Sequence, residues 1–156
     1  MPWDHRGGTV EEVRRLNVLI DVNVLLDVLL DRAPWVDQAR EIWTAHHRRA
    51  LVGHLAAHAL PNIFYSARKI VGIQKARGAV HLCLQTFEIA PIGRAELELA
   101  DSLTGSDLED NLVLACAPLA RLDAVVTRDP KGFAGPPIPV ITPDELLARI
   151  PKGGAN

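Results

Sequence analysis

The sequence predicts an α/β domain with a mainly parallel sheet. Over 156 residues, short apolar runs alternate with stretches of helical periodicity, and this alternation is typical of βαβ units. The first run, LNVLI at 16–20, has the length and branched content of a buried strand, and it ends in Asp21. Ligands of open parallel sheets bind at the carboxyl ends of strands, where a poorly solvated carboxylate needs a cation or a donor. Asp21 is therefore the first candidate site residue.

The elements follow one another as strands and helices in alternation. Strands predicted from apolar and β-branched runs cover 16–21, 51–54, 87–92, 123–127 and 138–141. Helices predicted from 3.6-residue periodicity cover 23–30, 35–49, 57–71, 74–86 and 94–103. A sixth helix opens behind a capping box formed by Ser106 and Glu109. A seventh begins with Pro143 directly after Thr142.

Two prolines constrain these helices. Pro61 is tolerable only in the first turn of its helix or at a kink. Pro118 removes a backbone donor and clashes with the carbonyl of Leu114, so its helix should kink or end there.

The bulk properties indicate one domain in a reducing compartment. No apolar stretch has the length of a membrane span, and the start MPWDHRGG lacks the apolar segment of a signal peptide. We therefore expect a cytoplasmic protein with no membrane partner. The two isolated thiols, Cys83 and Cys116, fit core positions better than a disulfide or a zinc site. The boundaries predicted are an N-terminal extension at 1–15, the domain at 16–150 and a flexible tail at 151–156.

The net charge of −2 gives no global argument for nucleic-acid binding. Clustered site carboxylates would mask basic residues elsewhere, and six basic residues lie close together in the sequence. A solvated helix surface explains each of them equally well. The six are Arg48, Arg49, Arg68, Lys69, Lys75 and Arg77.

Three further acids recur at positions comparable to that of Asp21. Asp107 and Asp110 lie at a predicted helix start, and Asp129 follows the fourth strand. Each has a structural alternative, since negative charge is favoured in a first helical turn and Asp-Pro often begins a turn. Carboxylates gathered from distant segments point instead to a hard divalent cation, Mg²⁺ or Mn²⁺. Two acids of the first helix, Asp27 and Asp31, are interpreted as exposed or loop-capping.

Four segments, in this order and spacing, resemble PIN-domain proteins, and more narrowly bacterial PIN proteins of the VapC toxin type. The resemblance covers about 16–150. The segments are DVNVLLDVLLDR at 21–32, SDLEDNLVLACA at 106–117, LDAVVTRDPKGF at 122–133 and PIPVITPDELL at 137–147.

The resemblance implies a PIN-like three-layer sandwich with a central, mainly parallel sheet flanked by helices. It also implies a Mg²⁺- or Mn²⁺-dependent ribonuclease, with an RNA substrate and a small cognate antitoxin. A homodimer is expected on other grounds, because two helical stretches have apolar faces that could form a dimer or antitoxin interface, although such faces more often belong to the core. These faces comprise Trp35, Ile42 and Trp43 on one stretch and Ile63, Phe64, Ala67 and Ile70 on the other. The acids of the family pattern map onto Asp21, Asp107, Asp110 and Asp129, of which Asp21, Asp110 and Asp129 would bind the metal.

Supporting roles follow from the same resemblance. Asn23 is the polar companion of the first acid, and Thr127 could orient a carboxylate or contact a phosphate. Arg128 and Lys131 are candidates for contact with a flanking phosphate.

The chain departs from the family pattern in three places. Asn62 stands where many members carry Glu, Gly132 stands where an Asp often precedes Phe, and Pro118 interrupts the sixth helix. One fewer negative charge should weaken metal binding.

Three alternatives to a metal-dependent ribonuclease stay open at this point. A degenerate PIN fold would bind RNA or protein without catalysis. A haloacid-dehalogenase-like phosphatase would need a second aspartate where Asn23 stands. His54 and His58 have the spacing of two zinc ligands on one helix face, but a glutamate between them and a third ligand are missing.

Overall fold

The computed structural model describes residues 14–133 and 135–152. The strands are β1 (Leu16–Ile20), β2 (Leu51–Ala56), β3 (Glu88–Ala90), β4 (Ala124–Val126) and β5 (Val140–Ile141). The helices are α1 (Val22–Leu29), α2 (Val36–His47), α3 (Ala59–Val71), α4 (Ile73–Thr86), α5 (Arg94–Ser102), α6 (Leu108–Leu119) and α7 (Pro143–Arg149). A 3₁₀ turn at Pro130–Gly132 follows β4.

The strands form one parallel sheet in the order β3-β2-β1-β4-β5. The chain builds outward from β1 through β2 and β3, then returns to the other side of β1 with β4. The connection that leaves the carboxyl end of β1 therefore runs towards one edge of the sheet, and the connection that leaves β4 runs towards the other edge. This is the topological switch point at which open α/β sheets leave a crevice for a ligand.

Helices cover both faces of the sheet, so the domain has three layers. Side chains of β1 alternate between two cores: Val18 and Ile20 join the core formed with α1–α4 and α7, whereas Leu19 joins the core formed with α6. All three are at most 2% exposed. The continuous apolar run arises because a central parallel strand is buried on both faces. The predicted fold class is confirmed.

Local differences from the sequence-based assignments have simple causes. β2 extends to Ala56 because its ladder with β3 continues to Ala90. The predicted Ser106 cap is wrong: Asp107 is the N-cap of α6, and its Oδ1 accepts from the Asp110 N–H at 3.0 Å. Pro61 lies in the first turn of α3, and α6 ends one residue after Pro118, as proline chemistry requires.

Several predictions concern residues that the structure does not describe. The N-terminal extension falls almost wholly outside the described residues, as does most of the tail. Within 14–133 and 135–152, no helix is both long and apolar enough to cross a membrane.

Gly53, in the middle of β2, is required by close packing. A Cβ at Gly53 would lie 2.8 Å from Phe87 Cδ1 and 2.9 Å from Ile20 Cδ1. The Phe87 ring cannot retreat easily, because it packs against the Trp43 ring at a centroid distance of 4.8 Å. Gly53→Ala should lower the free energy of unfolding by about 1–3 kcal/mol, the usual cost of overpacking.

Gly78 provides the matched control for this substitution. It lies in α4 and no atom comes within 4 Å of a Cβ built there. Gly78→Ala should therefore raise the free energy of unfolding by about 0.5–1 kcal/mol, the gain of alanine over glycine inside a helix. Urea denaturation measures both changes, and equal shifts in the two variants would contradict the packing argument.

Candidate active site

Two side chains meet where β1 and β4 end. Asp21 follows β1 and occupies the N-cap position of α1, while its backbone N–H donates to Val126 O at 2.9 Å. Thr127 follows β4, is 1% exposed, and donates its hydroxyl to Asp21 Oδ2 at 2.8 Å. The Asp129 N–H donates to the same hydroxyl oxygen at 3.3 Å. Thr127 thus orients the Asp21 carboxylate and ties it to the turn that carries Asp129.

A polar cavity of about 260 Å³ opens beside Asp21. Its walls come from the carboxyl ends of β1 and β2 and from the first turns of α1, α3 and α6. The polar lining residues are Asp21, Asn23, His58, Asn62, Ser66, Glu109 and Asp110.

Negative charge is concentrated around Asp110. Burial and then, in decreasing order of effect, the carboxylates of Asp107, Asp21, Glu109 and Asp129 together raise the pKa of Asp110 to about 6. Burial also raises the pKa of Asp21, an effect opposed by the Thr127 hydroxyl. Such crowding favours a bound cation, because each carboxylate makes it harder for the next to ionise.

Asp129 reaches the same place from the turn after β4. A Cβ on Gly132 would lie 3.4 Å from Asp129 Oδ2 and 3.8 Å from Asp110 Oδ2. The open side of Gly132 therefore faces both carboxylates, and the missing side chain leaves room between them. The structure brings together Asp21, Asp110 and Asp129, the three predicted metal ligands, although their role stays a prediction.

The remaining predicted residues take different places. Asp107 caps α6 and does not line the cavity. Asn23 lines it, and Lys131 lies exposed on the 3₁₀ turn. The Asn62 amide donates to Glu109 Oε2 at 3.1 Å, so a carboxylate lies beside the position where the family pattern often has one.

Arg128 has partners that the sequence did not suggest. Its Nε lies 2.7 Å from Asp27 Oδ2, and its guanidinium carbon lies 3.9 Å from the centre of the Trp35 ring. The interpretation of Asp27 as exposed is wrong, since it is 1% exposed. Burial raises its pKa, and Arg128 and Arg32 oppose that shift. Asp31 is exposed, as expected.

His58 and Glu109 line the cavity and were not predicted as site residues. Asp21 comes directly after β1, whereas His58 is separated from the end of β2 by Ala57 and precedes α3. Its place near a strand end was an available signal. Burial lowers the pKa of His58, while Glu109 and Asp21 oppose that shift. The structure does not support the zinc alternative: His54 lies in β2 and bonds to Asn17 Oδ1 at 3.2 Å, whereas His58 precedes α3, so the two histidines do not share a helix face.

The comparison with known families decides the classification. A family model described as the PIN domain matches residues 17–131. This chain belongs to the PIN domain family. The haloacid-dehalogenase-like alternative is thereby excluded, and the resemblance found in the four sequence segments is confirmed.

Known PIN proteins similar to this chain are of the VapC type. Ribonuclease VapC1 from Aquifex aeolicus (strain VF5) is 29% identical over 140 residues, which cover 85% of this chain and 94% of that protein. A toxin–antitoxin complex from Klebsiella pneumoniae contains a chain with a TM-score of 0.61 and 28% identity, matched over 81% of this chain and 97% of that one. A chain in the DNA-bound VapBC structure of Salmonella typhimurium shares the fold. It has a TM-score of 0.62 and 18% identity, matched over 82% of this chain and 98% of that one.

The donor chemistry of this PIN domain fits a hard divalent cation. Carboxylate oxygens suit Mg²⁺ and Mn²⁺. The raised pKa of Asp110 reflects its burial first and the neighbouring carboxylates second, and Gly132 leaves open space between two acids. Within the described residues, no three His, Cys, Asp or Glu side chains already stand close enough together to hold a metal ion.

Thr127→Val should destabilise this PIN domain by about 1–3 kcal/mol at pH 7, because the buried Asp21 carboxylate and the Asp129 N–H each lose a partner. Thr127→Ser keeps the hydroxyl and should lose much less. Urea denaturation of the two variants measures the difference. Equal losses would show that the methyl group, rather than the hydroxyl, matters at this position.

Proposed function

We propose that this PIN domain, 16–150, is a Mg²⁺- or Mn²⁺-dependent endoribonuclease that cleaves RNA in the cytoplasm as the toxin of a toxin–antitoxin pair. The observation that carries the proposal is the convergence of Asp21, Asp110 and Asp129 at the switch point, with the pKa of Asp110 raised to about 6. The ribonuclease name of the Aquifex aeolicus relative supports the reaction class.

The residues of the site suit hydrolysis of a phosphodiester. A divalent cation held by Asp21, Asp110 and Asp129 would supply a Lewis acid that activates water and offsets charge on the phosphate. Thr127 keeps Asp21 in place, and the cavity admits the phosphate between α1, α3 and α6. Lys131 is exposed beside Asp129 and is available to a flanking phosphate. Asp110 and the carboxylates around it repel RNA unless a cation is bound.

The partners proposed are an antitoxin and a second copy of the chain. Similar folds occur in toxin–antitoxin complexes, and an antitoxin segment carrying Arg or Lys would complement the acidic cavity. On the apolar faces of α2 and α3, Ile42, Ile63 and Ala67 belong to the core and are not available to a dimer interface. Trp35 and Ile70 remain exposed on these elements, at 41% and 66%.

A catalytically degenerate module that binds RNA or protein is the second candidate. Asn62 donates to Glu109 instead of supplying a charge of its own, and Gly132 supplies no carboxylate. Both features lower the negative charge available to a metal.

Metal removal distinguishes the two candidates. Incubation of a mixed RNA pool with the protein and Mg²⁺ or Mn²⁺ should give cleavage that stops in EDTA and returns when excess metal is added. Asp21→Asn protein, purified in the same way, controls for contaminating nucleases. Folded protein that binds RNA but never cleaves it, with either metal, would favour the binding module.

A further inference from the structure

An ion pair between a buried carboxylate and a partly buried arginine lies just outside the acidic cavity. Asp27, on α1, is 1% exposed, and its Oδ2 lies 2.7 Å from Arg128 Nε. Arg32 adds a second, more distant positive charge, with Nη1 3.9 Å from Asp27 Oδ1. The Arg128 guanidinium also stacks over the Trp35 ring at 3.9 Å. We call these three residues, Asp27, Arg128 and Trp35, the clamp. None of them lines the cavity.

Stability alone does not explain the clamp, because removing charges from water costs free energy. Within the described residues, the Asp27 oxygens and Arg128 Nε make no well-directed hydrogen bond despite their short separation, so attraction between charges holds the pair. Buried ion pairs often contribute little more than apolar side chains of the same size would. Here the neighbours of Asp27 on α1, Val24 to Leu26, are apolar and buried. A charged pair at this position is therefore better explained by a role in positioning the chain segments that it joins.

The clamp joins the two chain segments that carry the acids. Asp27 lies on the helix that begins directly after Asp21. Arg128 lies between Thr127 and Asp129, in the turn after β4. Thr127 is still held by the sheet through its N–H bond to Ile141 O at 2.9 Å. Asp129 is exposed and lies beyond the strand pairing, with its N–H donated to the Thr127 hydroxyl oxygen. Beside the bond between Thr127 and Asp21, the Arg128 side chain gives this turn a second contact with α1 and a contact with Trp35.

We infer that the clamp is a positioning device that holds the turn at 127–129 so that Asp129 faces Asp21 and Asp110 for metal binding. The inference rests on the proposed function. It gives Arg128 a role through Asp129, in place of the direct phosphate contact predicted from the sequence, and it makes Asp27 and Trp35 positioning residues.

Two readouts test the clamp. The first is the Mn²⁺ affinity, measured from the electron paramagnetic resonance signal of free Mn²⁺. The second is amide hydrogen exchange of the 127–133 segment in metal-free protein. Asp27→Asn and Trp35→Ala should each weaken Mn²⁺ binding about tenfold, as loss of a supporting partner does at metal sites, and both should speed exchange at 127–133. Trp35→Phe keeps an aromatic face and should restore most of the affinity.

Asp31→Asn is the matched control. It removes a carboxylate of the same region whose Oδ1 pairs with Arg40 Nη2 at 2.8 Å, and the Asp31 side chain is 75% exposed. It should leave both readouts unchanged. Trp35 is largely at the surface, so Trp35→Ala keeps the test decisive even when Asp27→Asn fails to fold.

The contrary outcomes are distinct. Unchanged Mn²⁺ affinity in folded Asp27→Asn and Trp35→Ala overturns the positioning role. A rise in the KM for RNA in Arg128→Lys, with Mn²⁺ affinity and exchange unchanged, also overturns it and makes Arg128 a phosphate contact. If the wild-type chain binds no Mn²⁺, the proposed function fails and hydrogen exchange alone tests the clamp. Unchanged exchange at 127–133 in Asp27→Asn and Trp35→Ala then overturns the clamp, and faster exchange in these variants supports it.

Discussion

Asp21→Asn should lower the rate of RNA cleavage by about 10²- to 10³-fold, while the protein stays folded. The substitution keeps the shape of the side chain and an oxygen that can accept the Thr127 hydroxyl, but it removes one of three charges proposed to bind the metal. Metal-ion catalysis supplies several kcal/mol of stabilisation to a phosphoryl transition state, which corresponds to this loss in rate.

Stability should not fall with the activity. Burial raises the pKa of Asp21, so its ionised form is unfavourable in the metal-free fold and a neutral amide relieves that cost. Single-turnover cleavage and urea denaturation measure the two effects. Asp101→Asn, an exposed acid on α5 outside the cavity, should change neither. Cleavage by Asp21→Asn at the wild-type rate would show that the site lies elsewhere.

Asp110→Asn should abolish cleavage and at the same time stabilise the metal-free protein. The pKa of Asp110 is raised from 3.8 to about 6 in the folded state. Between those two values the folded protein keeps a proton that the unfolded chain has lost, so the free energy of unfolding falls as pH rises from about 4 to about 6. Above that range the ionised carboxylate destabilises the fold by about 1–2 kcal/mol, after allowance for solvent screening of a partly exposed group.

The comparison of two pH values isolates this effect. In EDTA, the gain in stability of Asp110→Asn over the wild type should be small near pH 4 and should reach its full size near pH 7. Added Mn²⁺ should stabilise the wild type much more than the variant. A gain that does not depend on pH would mean that ionisation of the Asp110 carboxylate, through its burial and its acidic neighbours, is not what destabilises this position.

The prediction of the fold succeeded where a single element carried its own signal. The run at 16–20 is apolar at every buried position because both sheet faces are covered, and Thr142 with Pro143 marks the start of α7 in the chain itself. The observed element boundaries differ from the predicted ones where pairing with another strand sets them. The last residues of β2 are extended because β3 pairs with them. The cap of α6 was misassigned because Ser106 and Asp107 are both good caps, and only the geometry of the turn selects between them.

The candidate site divides in the same way. Asp21 stood out because a charge directly after a buried strand is costly without a partner, and the resemblance supplied the other acids. Glu109 has no such local signature, and the only signal for His58 is its place shortly after a strand. Both enter the cavity because α3 and α6 begin beside it.

The sequence by itself determined the parallel α/β class, the family and the acids at strand and helix ends, because these follow from local patterning and motif order. Only the tertiary structure decided that Asp27 is buried and paired with Arg128, that Thr127 holds Asp21, and that Gly132 opens a space between Asp110 and Asp129. The physical reason is distance along the chain. Contacts between residues about a hundred positions apart arise from the order of strands in the sheet, and a pattern read over a few neighbouring residues carries no information about them.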